Sequence, residues 1–81
     1  MAKREVRVIF PEELIREPLI YRIGHEFKVV TNIKRANVTR DSGWVVLEIE
    51  GDSEEIDRVV SYLRTKGVKV EVVDSSEHID L

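Results

Sequence analysis

Glu48 and Glu50 stand two residues apart in a run that alternates like a β-strand, so both carboxylates face the same way, as a general acid and its partner base would. A solvated sheet face accounts for the same spacing. His25 falls at the end of a helical segment and His78 in an aperiodic tail, and neither has the positioned partner that general-base work requires. The chain has no cysteine, which excludes disulfides, thiolate zinc sites, iron–sulfur clusters and a cysteine nucleophile within it. After the first strand, Pro11-Glu12-Glu13 places acid where an anion-cradling loop needs an arginine and a positioned amide, so phosphate is repelled there. No nucleophile–base pair and no metal-ligand set can be assembled. The sequence therefore reads as a non-enzyme, without cofactor or metal. Nucleic acid is disfavoured as a partner, because the net charge is -3 whereas phosphate binding rests on a basic surface. An RNA-binding sheet stacks bases on exposed aromatics, and the central strands here offer Arg7, Ile9 and a lone Trp44. Asn37-Val38-Thr39 matches a glycosylation sequon, but nothing else points to secretion and the match carries no weight. What remains is Asn32, an amide in the middle of a strand-like run.

These side chains must be positioned by one small domain, since the chain has 81 residues. A chain of this size buries only about 60 to 65% of the surface it exposes when unfolded, so a single modest core has to hold it. Apolar residues at 42% and charged residues at 36% fit a globular protein. No apolar run approaches the ~20 residues of a membrane span, and the N-terminus lacks a signal-like apolar region, so a cytoplasmic protein without direct membrane insertion is expected.

Period-two alternation predicts a first strand over Glu5 to Phe10, with Val6, Val8 and Phe10 on one face and Glu5, Arg7 and Ile9 on the other. Pro11 stops that strand, and Pro18 starts a helix to about Glu26 whose apolar stripe is Leu19, Ile20, Ile23 and Phe27. A second strand is expected from about Phe27 to Thr39. Its apolar parity switches between Ile33 and Ala36, which a bulge near Lys34-Arg35 would reconcile. Arg40-Asp41-Ser42-Gly43 reads as a turn, with a positive φ expected at Gly43, leading into a third strand, Trp44 to Glu50, with Val45, Leu47 and Ile49 inward. Asp52 and Glu55 have the spacing of a capping box for a second helix with Ile56, Val59, Val60 and Leu63 buried and Gly67 at its end. Val68, Val70 and Val72 then point inward from a fourth strand ending at Val73. The domain is expected over residues 1–73, with an acidic, flexible tail over 74–81.

Two helices that are polar on one side cannot cover both faces of a four-stranded sheet. Both therefore lie on one face, and the fold class is α+β, a ferredoxin-like βαββαβ sandwich with an antiparallel sheet ordered 4-1-3-2. The other face stays open. On it, Ile9, Trp44 and Val46 are expected to form an apolar patch that brings copies of the chain together as a homo-oligomer, by that face or by the free edge of the second strand.

Phe10-Pro11, Glu17-Pro18, the run Phe27-Lys28-Val29-Val30-Thr31-Asn32-Ile33, Leu47-Glu48-Ile49-Glu50-Gly51, and Tyr62-Leu63 through Gly67 to Val72 together resemble the NIL domain family. The likeness covers about residues 4 to 73. That family is named for an Asn-Ile-Leu motif and has the ferredoxin-like fold. It occurs as the C-terminal regulatory domain of methionine-importer ATPase subunits, where it binds methionine, and fused to iron–sulfur ferredoxin modules. By position the resemblance implies a ligand-binding role for Asn32, with Ile33 beside it. The third motif position is Lys34 instead of leucine, and this charge either assists a ligand carboxylate or disrupts an apolar pocket. Alternatively Asn32 is a strand-edge amide that bonds neighbouring main chain.

The resemblance implies a module that binds or senses methionine or a related sulfur amino acid, with a transporter or a sulfur-metabolism enzyme as partner. The alternative is a structural or protein-interaction domain with no small ligand. With the hairpin tip placed near Asp41, Asn32 falls opposite Glu50, roughly six residues or ~20 Å down the sheet from Trp44 at about 3.3 Å per residue. A ligand touching both sites would then sit between subunits.

Overall fold

The computed structural model describes the backbone of residues 1–77 and the side chains of residues 1–73. The chain runs β1 (Ala2–Phe10), a 3-10 turn (Glu12–Leu14), α1 (Leu19–Glu26), β2 (Val29–Val38), β3 (Gly43–Gly51), α2 (Ser53–Thr65) and β4 (Lys69–Glu77). The strands form one sheet in the order β2-β3-β1-β4, every neighbouring pair antiparallel, as expected for the ferredoxin-like α+β fold. One core gathers Val6, Val8, Leu47 and Ile49 from the central strands with Leu19 and Ile23 from α1 and Ile56, Val59 and Leu63 from α2. Both helices therefore pack on the same sheet face.

Local chemistry accounts for most of the boundaries. Pro11 removes a ladder donor after Phe10, and the Leu14 amide closes the following turn on the Pro11 carbonyl at 2.9 Å. Gly67 takes φ +97°, the Gly67 amide bonds the Arg64 carbonyl and the Val68 amide bonds the Leu63 carbonyl, which is the paired closure of a Schellman end. In β2 the register slips between Ile33 and Arg35, so Lys34 is the bulged residue and the parity switch read in the sequence is real.

Several expectations are corrected. Asp52 occupies the N-cap position of α2 but makes no side-chain capping bond. Glu55 turns elsewhere: its Oε2 accepts from the Lys28 amide at 2.9 Å, tying the entry of β2 to α2 in place of closing a capping box. Gly43 does not have a positive φ; it is the first residue of β3, while Thr39 closes the hairpin, its amide donating to the Ser42 carbonyl at 2.7 Å. Val72 lies opposite Val6 in register but is 52% exposed, because β4 is an outer strand with a sheet neighbour on one side only. β4 also runs past Val73 to Glu77, pairing back to Ala2. The rest of the acidic tail, with His78, lies outside the described residues.

Candidate functional site

Asn32 sits on β2, the edge strand, opposite Glu48 on β3 and not opposite Glu50. The hairpin tip lies at Thr39–Ser42, and the bulge at Lys34 adds a residue to β2, so the sequence count misplaces the pairing by two. Asn32 is thus four residues along the ladder from the level of Trp44, roughly 13 Å at about 3.3 Å per residue. Its side chain is exposed on the open sheet face, and none of the side-chain hydrogen bonds among the described residues involves it. The main-chain bond of the alternative reading is not formed, and the amide is free to donate and accept. Ile33 is also exposed, at 59%, but by strand alternation it faces the opposite way, opposite Leu47 on the helix side. The two motif residues therefore do not share a face.

Lysines neutralise the carboxylates around Asn32. Lys34 Nζ lies 3.5 Å from Glu48 Oε2, and Lys3 Nζ lies 3.4 Å from Glu50 Oε2. The charge at the third motif position is thus engaged with Glu48, and the spacing of Glu48 and Glu50 serves a cross-strand ion-pair lattice on a solvated face. His25 stacks on Tyr21, with ring centroids 5.6 Å apart, on the exposed side of α1.

The open-face patch differs from the expected one. Ile9 and Trp44 are direct cross-strand partners and both half-buried, but Val46 is only 2% exposed. In register Val46 is flanked by Arg7 on β1 and Arg35 on β2, and the Arg7 guanidinium lies 6.0 Å from the Trp44 ring centre. Long arginine stems cover apolar surface while their heads stay in water. Val46 is part of the domain's own packing, and Ile9 and Trp44 are what the patch leaves for contact.

At the far end of the hairpin the structure shows a feature that sequence reading missed. An apolar recess of about 180 Å³ opens between the start of α1, the end of β2 and the start of β3, lined by Phe10, Ile15, Pro18, Leu19, Val38 and Val45 among others. Ile15 also forms part of an adjoining polar depression with Glu12, Glu13, Arg16, Thr39 and Arg40. Arg16 and Arg40 are 24 positions apart in sequence, and only the return of the hairpin beside the turn after β1 joins them. The one available signal was the mixed-charge run Glu12 to Glu17, which is indistinguishable from a solvated turn.

The sequence model of the NIL domain matches residues 4–72. The chain belongs to the NIL domain family. Methionine import ATP-binding protein MetN of Helicobacter pylori strain J99 is 33% identical over 69 residues, covering 80% of this chain and 21% of that protein. MetN of Bacillus subtilis strain 168 is 33% identical over 72 residues, covering 84% and 21%. This NIL domain thus spans about a fifth of the length of the curated relatives it matches. Among solved structures, the C-terminal domain of an ABC transporter ATP-binding protein from Enterococcus faecalis superposes with a TM-score of 0.75 at 26% identity, covering 86% of this chain and 82% of that one. A de novo designed protein, Foldit4, shares the fold at a TM-score of 0.60 and 25% identity, covering 96% of this chain and 98% of the design. In this NIL domain the motif reads Asn32-Ile33-Lys34, and its third residue is the bulge. Among the described residues, no helix is long and apolar enough to cross a membrane.

Proposed function

We propose that this NIL domain is a regulatory module that binds methionine or a related sulfur amino acid and couples its binding to sulfur amino-acid transport or metabolism on the cytoplasmic side. The observation that carries the reading is Asn32, the first residue of the family motif, whose unpartnered amide stands exposed on an edge strand. A carboxamide can donate to a ligand carboxylate and accept from its ammonium group. The ~13 Å between Asn32 and the Trp44 level exceeds the reach of one small amino acid, as the longer expected distance also did. The ligand therefore lies at a junction of two copies, its polar end on Asn32 and its thioether against the neighbouring chain. Ile33, on the other side of the strand, contributes by contacting that neighbour around the edge of β2. Similarity to MetN proteins supports a transporter subunit as the partner.

Calorimetric titration of the wild type and of Asn32→Ala with methionine tests the proposal. Heat in the wild type and an affinity at least tenfold lower in the variant are expected, since one hydrogen-bonded polar group contributes about 1.4 kcal/mol or more. Equal affinity would clear Asn32 of a role. An absence of heat at millimolar methionine would favour the second reading, an interaction domain without a small ligand. The feature supporting that reading is the outer edge of β2, a row of main-chain donors and acceptors with no sheet partner.

A further inference from the structure

We infer that the outer edge of β2, on the hairpin side of Lys34, is a docking site for an acidic, extended segment of a partner protein, which adds to the sheet as a further strand with acidic and apolar residues in alternation. The inference goes beyond the methionine reading and requires neither Asn32 nor a second copy of the domain. Its first ground is the distribution of charge. Four of the chain's 13 lysines and arginines, Lys28, Lys34, Arg35 and Arg40, fall between Phe27 and Arg40, and none of its 16 aspartates and glutamates does. A chain of net charge -3 thus carries its edge strand as a basic ribbon. Lys34 is held by Glu48 at 3.5 Å, but among the described residues Lys28, Arg35 and Arg40 form no ion pair.

The second ground is the register, which divides the side chains of this edge into two rows. Ala36 and Val38 lie opposite Val45 and Gly43 on the helix side, with Ile33 before them opposite Leu47, whereas Arg35 and Asn37 lie opposite Val46 and Trp44 on the open face. All five are exposed, Ile33 at 59% and Val38 at 57%. One row is therefore apolar and uncovered, and the other is cationic and amide-bearing. A strand laid alongside sets its own alternate residues next to each row, so the complementary segment is apolar toward the helices and acidic toward the open face. Main chain supplies the remaining contacts, because β2 has β3 on one side only and its outward donors and acceptors have no sheet partner. Behind this run, Gly43 to Val46 of β3 carry no charge, and the acids Glu48 and Glu50 stand beyond the bulge, each already paired to a lysine. A nucleic acid would answer the cations but leave the ladder groups and the apolar row unused, and β2 has no aromatic side chain on which a base could stack. Arg35 to Val38 span roughly 13 Å at about 3.3 Å per residue, and the charges are in water, so an affinity of about 1 mM is expected.

The test follows backbone amide resonances of the intact chain during titration with the capped hexapeptide Glu-Val-Glu-Val-Glu-Val. Its controls are the Lys-Val repeat of the same length, the acidic peptide N-methylated at every residue, and a hexamer of deoxythymidylate. The acidic peptide should shift the amides of Arg35, Ala36, Asn37 and Val38, and the lysine and N-methylated peptides should each bind at least about tenfold more weakly. Arg35→Glu should weaken the acidic peptide by about fivefold or more, while Lys69→Glu, the same charge change on β4 at the other edge of the sheet, should alter it by less than about twofold. Asn32→Ala should also stay within about twofold, so this measurement and the methionine titration fail independently. Absence of shifts at these amides up to about 10 mM peptide would overturn the proposal. Equal binding of the lysine or N-methylated peptide would overturn it too, as would equal losses in Arg35→Glu and Lys69→Glu, which would show a diffuse field instead of a site. Tighter binding of the oligonucleotide at the same amides would transfer the edge to a nucleic-acid partner and reject a protein one.

Discussion

β2 and β3 are hairpin partners of nearly equal length, yet β3 is buried at Gly43, Val45, Val46, Leu47, Ile49 and Gly51, whereas in β2 only Val29 is buried. Both are rich in β-branched residues, so composition does not make the difference. β3 has a neighbour on each side and core residues of α2 above it; β2 has one neighbour, and α1, which packs mainly on β2, has only eight residues and leaves Ile33 and Val38 exposed. Position in the sheet therefore turns similar stretches into a structural strand and a strand whose side chains are available to a partner or ligand.

The sharpest way to break this contrast is to truncate the register partners Leu47 and Ile33 one at a time. Leu47→Ala, at 0% exposure, should lower the unfolding free energy by roughly 2 to 5 kcal/mol, while Ile33→Ala on the same sheet face should change it by less than about 0.5 kcal/mol, both read from urea denaturation. A comparable loss at Ile33 would mean that β2 is as structural as its neighbour. A smaller effect is expected where the two strands meet at their other end. A Cβ on Gly51 would lie 3.0 Å from the Lys28 carbonyl oxygen and 3.1 Å from Val29 Cγ1, so Gly51→Ala should destabilise by about 1 to 3 kcal/mol as the entry of β2 is pushed outward. Protection of the β2 amides from hydrogen exchange should fall before that of β3. The smallest stability change is expected for Trp44→Glu, about 0.5 to 1 kcal/mol from the lost Arg7 contact. If copies associate through the open face, light scattering of that variant should show a lower mass; an unchanged mass would shift the contact to the β2 edge.

Much of the fold was legible because it follows from short-range rules. Alternation in Val45, Leu47 and Ile49 placed the central strand, the parity switch placed the bulge at Lys34, and Gly67 marked the end of α2. Failures came where a side chain had a choice of partners that only the folded chain presents. Glu55 bonds Lys28 and forgoes the cap, Val72 lacks cover on its outer side, and Val46 sits between arginines from two different strands. At the candidate site, Asn32 and its strand were legible, but its true opposite, Glu48, required knowing where the hairpin turns. Arg16 and Arg40 met only through the topology.

The bulge also limits misassembly. An exposed edge of ten residues would by itself template the addition of further strands, the route by which sheets grow into fibres. Lys34 divides the edge into two short runs whose registers differ by one residue, and its charge stands at the division. A straight strand docking on one run is out of step with the other, so open-ended stacking is frustrated. A partner strand that carries the same offset, or one short enough to use a single run, is not.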